Sequence, residues 1–221
     1  MNKEQLYMVF DVESVGLQGL DFAVGFVVVN GYGVEVQHGL MACERNETFG
    51  TPASLAWCEK NIPKLEVTHS CPKDMREAFW AQWICWKDRG ALLVADCAWP
   101  VEARFLIQCV DESPDEREWS GPYPLIDVGS VLMAHGKDPL QKFPRLDSEL
   151  PEHNPLADAR QSARVLIETL NDNRDSDYME LLYAVQSVHP NETRHETALR
   201  YIREREQSCC EAGGPPASKT A

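Results

Sequence analysis

The sequence predicts an α/β domain in which a mixed sheet is flanked by helices. Three observations carry this reading: the first forty residues hold three β-type runs, the middle of the chain alternates helical patterns with short apolar runs, and a long amphipathic helical pattern opens at Pro155. Strands in a meander followed by helix–strand alternation produce a sheet with both antiparallel and parallel neighbours.

Residues 6–10 form an apolar run that ends at Asp11, ahead of a loop containing Gly16 and Gly19. Residues 22–30 are rich in valine, Asn30-Gly31 is a hairpin signal, and residues 34–39 supply the next strand. Thr51 suits the N-cap of a short helix through Lys60. From 72 to 89, Met75, Ala78, Phe79, Trp83 and Trp86 fall at helical spacing, and Gly90 ends the pattern. Residues 91–95 read as a buried strand, and Pro100 fits the first turn of a helix reaching Cys109. The acidic segment 111–119 is predicted to be an exposed loop, and 125–128 a fifth strand. Pro155 opens a helix to Leu170 with Leu156, Ala159, Ala163, Leu166 and Leu170 along one side. Two further helices are predicted over 175–207, completing one domain over 1–207 around a core at 6–170. Residues 208–221, with Gly-Gly-Pro-Pro and small side chains, are predicted to be a disordered tail.

Composition narrows the function. Of 221 residues, 35 are acidic and 21 are Lys or Arg, a net charge of −14. That balance argues against a protein that coats duplex nucleic acid through a broad cationic face, and it suits one that gathers carboxylates around divalent ions. No run approaches the ~20 apolar residues of a bilayer span. The start of the chain lacks the long apolar stretch of a secretory signal, so a cytoplasmic protein without a membrane partner is expected. The eight cysteines form no CxxC pair and read as buried reduced thiols.

Three groups of side chains carry chemistry. Asp11 and Glu13 end the first strand, and residues i and i+2 of a strand share a face. Two carboxylates emerging side by side from a buried sheet repel one another, and a hard divalent cation removes that conflict. Asp96 ends the strand 91–95, and Glu102 falls in the first turn of the following helix, where a carboxylate favours the amide end. His153 lies in a loop and Asp158 in the first turn of the helix opened by Pro155.

In order and spacing these groups resemble the DEDD superfamily of 3′-to-5′ exonucleases. The branch concerned bears a histidine and includes the proofreading subunit of bacterial DNA polymerase, ribonuclease T, oligoribonuclease and the TREX nucleases. Phe10-Asp11-Val12-Glu13-Ser14-Val15-Gly16 matches its first motif, and His153 followed five residues later by Asp158 matches its third. In the second motif Asp96-Cys97 stands where the family has His-Asn, and Glu102, followed by Phe105-Leu106, stands where it has aspartate. Glu102 is the favoured ligand there, with Asp96 the alternative.

The resemblance implies an RNase H-like, mixed five-stranded sheet. It also implies that Asp11, Glu13, Glu102 and Asp158 hold two Mg²⁺ or Mn²⁺ ions about 3.5–4 Å apart, with His153 as general base. Nucleoside 5′-monophosphates would leave the 3′ ends of single-stranded nucleic acid, DNA placed slightly ahead of RNA. Val15, Gly16 and Leu17 would contact the terminal nucleotide, Leu17 against its base, and a homodimer is a family habit. Trp99, beside the second motif, is a candidate stacking platform or a core residue. The tryptophans at 57, 80, 83 and 86 are expected in the core or an interface, while Arg104, Lys137, Lys142 and Arg145 are candidate phosphate contacts or ordinary surface charges. The rival readings are an oligoribonuclease-like enzyme on short RNA, a non-catalytic nucleic-acid-binding scaffold of the same fold, and another metal hydrolase.

Overall fold

Alternation along the first strand decides which acids meet which helix. In this computed structural model, which describes residues 4–45, 50–172, 185 and 188–212, β1 spans Leu6–Ser14. Met8, Phe10 and Val12 point into one apolar cluster with Phe79, Trp80, Trp83 and Phe105. Tyr7 and Val9 point the other way, into a second cluster with Ala159, Ala163 and Leu166. Asp11 and Glu13 share the parity of Tyr7 and Val9, so they lie on the same side as that second cluster.

β2 (Asp21–Asn30) and β3 (Glu35–Ala42) complete an antiparallel meander, while β4 (Leu92–Ala95) and β5 (Ile126–Asp127) run parallel to β1. The strand order is β3-β2-β1-β4-β5, the mixed five-stranded sheet expected. α1 (Pro52–Asn61) starts at Thr51, whose hydroxyl accepts from the Ser54 amide while Ser54 returns the bond, a capping box. α2 (Pro72–Lys87) and α3 (Ala103–Asp111) bring Phe79, Trp83 and Phe105 to the first cluster. α6 (Pro155–Leu170) covers the opposite face with Ala159, Ala163, Leu166 and Leu170 of the predicted stripe, while Leu156 lies outside that cluster.

Four expectations need correction. Residues 98–102 are not the first turn of a regular helix: Ala98–Glu102 is a wide π-type turn with Trp99 extended inside it. The segment 111–119 is not simply an exposed loop, because Pro114–Arg117 forms a short helix, α4. Arg117 is buried there, donating to the Cys109 carbonyl, pairing with Glu77 and lying over the Trp80 ring. The fifth strand stops at Asp127 because its carboxylate accepts from the Ser130 amide and starts α5 (Val128–Ala134). Of the thiols described, Cys43, Cys58 and Cys109 are buried, but Cys85 and Cys97 are exposed. Cys85 sits between buried tryptophans in sequence yet on the outer side of α2.

The chain divides into two units, Met1–Asn171 and Asp172–Ala221. In the second, α7 (Arg194–Ala212) runs past the predicted helix end at 207, with Arg200 paired to Glu192 and Glu204. The helix predicted from 175 and the tail beyond 212 lie outside the described residues. Among the described residues, no helix is long and apolar enough to cross a membrane.

Candidate active site

The sheet and α6 approach closely at one place, and a glycine makes that possible. Gly25 pairs with Asp11 across β1 and β2. A Cβ on Gly25 would lie 2.2 Å from the Leu156 amide nitrogen, so only hydrogen there lets the start of α6 rest on the sheet beside Asp11. Asn154 caps α6 by accepting from the amides of Leu156 and Ala157, and Asp158 follows in the first turn. His153, immediately before the cap, has φ +60°, the left-handed region unusual for a residue with a side chain. Its Nδ1 lies 3.9 Å from Glu13 Oε1, and its ring packs edge-on against Trp57 with centroids 4.9 Å apart. α1 is held to the end of β1 by the Cys58 thiol, which donates to the Ser14 carbonyl.

The second acidic group arrives from the other side. Phe10 pairs with Ala95, so Asp96 leaves β4 level with Asp11. Asp127 fastens the turn that follows: its Oδ2 accepts from the Ala98 amide at 2.8 Å while Oδ1 accepts from Ser130. Glu102 ends that turn, buried. Asp96 is more exposed and accepts a hydrogen bond from the Ser162 hydroxyl.

Asp11, Glu13, Asp96, Glu102, His153 and Asp158 thus line one cavity of about 500 Å³, with Gly16, Leu17, Trp57, Trp99, Arg145, Gln161 and Ser162 also in its wall. Its electrostatics are those of crowded acids. Burial, then Glu102, Glu13, Asp158 and Asp96, holds the Asp11 carboxyl well above the usual range. Burial, then Asp158 and Glu102, pushes Glu13 up to about 8. Glu102 rises to about 7, burial outweighing the hydrogen bonds it receives at the backbone of Glu102 and Val12. Asp158 is raised by burial against the opposing pull of Arg145, whose Nη1 donates to Asp158 Oδ1 at 2.5 Å. Five carboxylates face one guanidinium in this lining.

A set of oxygen donors with surplus negative charge is what a hard divalent ion requires. Glu13, His153 and Asp158 offer ligand atoms that all lie within 4.8 Å of one another. Asp11 and Glu102 line the same cavity but are not part of that tight set. The residues present therefore fit a hard divalent cation.

Exposure separates the alternatives left open for two tryptophans. Trp99 is 74% exposed, at the cavity's edge rather than in the core, its own backbone extended within the π-type turn. Trp57, expected in the core or an interface, is exposed and lines the cavity against His153; no local pattern distinguishes it from the buried tryptophans of α2. Leu17 is 65% exposed in the cavity wall, whereas Val15 is buried and its amide donates to the Leu20 carbonyl. Arg104 donates to Gly19 O at 2.6 Å, bracing the loop that carries Leu17, and Lys137 donates to Thr169.

A single architecture carries this site. It is an α/β domain with an RNase H-like mixed sheet whose acid-bearing strand end faces the start of a helix. Among solved structures it is similar to Exonuclease I from Methylocaldum szegediense, a moderately thermophilic enzyme, with a TM-score of 0.54 and 12% identity. The match covers 86% of this chain and 49% of that one, so the chain spans about half the length of that enzyme. It is also similar to a 3′-exonuclease solved for its 3′-end-specific recognition of a histone mRNA stem-loop. There the TM-score is 0.44 and the identity 14%, covering 78% of this chain and 84% of that one. No protein-family description and no curated protein matches the chain.

Proposed function

We propose that this protein is a divalent-metal-dependent 3′-to-5′ exonuclease of the histidine-bearing DEDD type, releasing nucleoside 5′-monophosphates from single-stranded DNA or RNA. The carrying observation is the convergence of Asp11, Glu13, Glu102, Asp158 and His153, separated widely in sequence, on one cavity with an unbalanced acidic charge. The fold shared with an exonuclease supports the same reading.

Asp11, Glu13, Glu102 and Asp158 would hold two Mg²⁺ or Mn²⁺ ions, with Asp96 the alternative to Glu102. Bound there, such ions would supply positive charge against the negative charge that develops on a phosphodiester under attack. His153 takes the proton of the attacking water, its imidazole standing in the cavity wall with Nδ1 3.9 Å from Glu13 Oε1. Trp57, packed edge-on, limits the rotation of the imidazole. Leu17, Trp99 and Trp57 present exposed apolar surface to a terminal base without reading its sequence. With net charge −14 and a mostly acidic cavity lining, a grip on long duplexes is disfavoured, and short single-stranded ends suit the cavity.

Single strands of DNA and RNA labelled at the 5′ or 3′ end, incubated with Mn²⁺ or with EDTA, test the proposal. The 5′-labelled strands should shorten stepwise and the 3′-labelled ones release label as mononucleotide, in Mn²⁺ only. Shortening from the 5′ end, cleavage that persists in EDTA, or no cleavage would overturn it. The relative rates on matched deoxy and ribo strands decide between DNA and RNA.

A further inference from the structure

Arg145 stands on the wall between two cavities. The acidic one adjoins a second, of about 630 Å³, and Asp96, Cys97, Arg145, Gln161 and Ser162 belong to both. Lys142 adds a further cation to the second cavity. The backbone on either side of Arg145 is clamped. Arg164 donates to the Pro144 carbonyl at 2.8 Å, and the Leu146 amide donates to the buried carboxylate of Glu149 at 2.9 Å. Arg164 also grips both oxygens of Glu149, tying the two clamps together. From this fixed base the guanidinium reaches Asp158 Oδ1 at 2.5 Å and the Glu149 carbonyl at 2.8 Å, with Glu152 at 3.6 Å.

A guanidinium on Asp158 does two things that a divalent ion would also do: it occupies a carboxylate oxygen and it neutralises charge. A divalent cation arriving beside Asp158 repels it, and its remaining freedom lies in the side chain, toward the shared wall. A planar guanidinium fork matches two oxygens of a phosphate. The second cavity on that wall gives such an anion space and a further cation, Lys142, against the carboxylates of Asp96, Asp127 and Glu152 in the same lining.

We propose that Arg145 has two positions: counter-ion to Asp158 in the metal-free protein, and ligand of a substrate phosphate once divalent ions are bound. Metal loading then prepares the phosphate site, which orders the two binding events. The phosphate half of this proposal rests on the exonuclease reading of the same site; the counter-ion half does not.

Calorimetry on the full chain tests it, with Mn²⁺ alone and then with deoxyadenosine 5′-monophosphate added to the Mn²⁺-saturated protein. Arg145→Gln should bind Mn²⁺ about tenfold more tightly and the monophosphate about tenfold more weakly. Arg145→Lys keeps the charge and loses the fork. It should bind Mn²⁺ as the wild type does and still lose affinity for the monophosphate, which keeps the proposal decidable if the glutamine variant folds poorly. A residue that merely supports the loop would weaken both ligands together, and that result, or unchanged monophosphate affinity, overturns the proposal. If the two affinities move in opposite directions while labelled strands stay intact, the exonuclease reading fails and the counter-ion role stands. If strands are cut and both affinities fall, the role of Arg145 fails alone.

Discussion

Replacing Glu13 by glutamine should stabilise the metal-free protein, and the acidity of this carboxyl sets the size of the effect. Its pKa goes from 4.5 to about 8, raised by burial and then by Asp158 and Glu102. The unfolded chain gives up this proton near pH 4.5 and the folded chain only near 8. Between those values rising pH favours unfolding, and the stability present below pH 4.5 is lost by the time pH passes 8. At 1.36 kcal/mol per tenfold change in acidity, an isolated group would forfeit about 5 kcal/mol. Asp11, Glu102 and Asp158 share the same field and relax when one charge is removed, so about 2–4 kcal/mol should be recovered at pH 8.5. For a chain of this length that is a rise in Tm of about 5–15 °C. Thermal unfolding of wild type and Glu13→Gln in EDTA, from pH 4 to 9, reads it directly. The two curves should meet near pH 4 and separate through pH 8, and saturating Mn²⁺ should reverse their order because the variant lacks a ligand. A glutamine variant less stable than wild type in EDTA at pH 8.5, or a gap independent of pH, would refute the reasoning.

Other perturbations reach the same site from different sides. Gly25→Ala places a methyl 2.2 Å from the Leu156 nitrogen and should cost about 2–3 kcal/mol by denaturant unfolding; an unchanged midpoint would contradict the close approach of α6. His153→Ala should lower turnover by about 10²–10⁴ while calorimetric Mn²⁺ affinity stays close to wild type; unchanged turnover would remove the proposed base. Trp99→Ala should raise KM on single strands by about tenfold, the loss of one stacking contact, with kcat little changed. Mn²⁺ affinity should fall more in Glu102→Gln than in Asp96→Asn, and the reverse order would transfer the second-motif role to Asp96.

What the sequence made legible was local. The strand parity of Asp11 and Glu13 and the first-turn place of Asp158 depend only on near neighbours, so period and capping residues revealed them. Pro155 and Leu170 bound α6 in the structure as they do in the pattern. What stayed hidden depends on partners far along the chain. Trp57 faces a cavity because α1 is tied to the end of β1, and Arg145 reaches Asp158 because Glu149 and Arg164 hold its loop. Arg117 looked like part of an acidic surface loop, but the Cys109 carbonyl, Glu77 and the Trp80 ring bury it. Val15 and Leu17 are two residues apart in one loop, and only the fold shows that the first is core and the second is cavity wall.

The central claim is that the carboxylates converging on this cavity are a divalent-metal site. An anomalous difference map from crystals grown in Mn²⁺, recorded at the manganese edge, tests it most directly. The account predicts two peaks among the carboxylates of Asp11, Glu13, Glu102 and Asp158, with Arg145 turned away from Asp158. A cavity without peaks at saturating Mn²⁺, with the guanidinium still on Asp158, would contradict it.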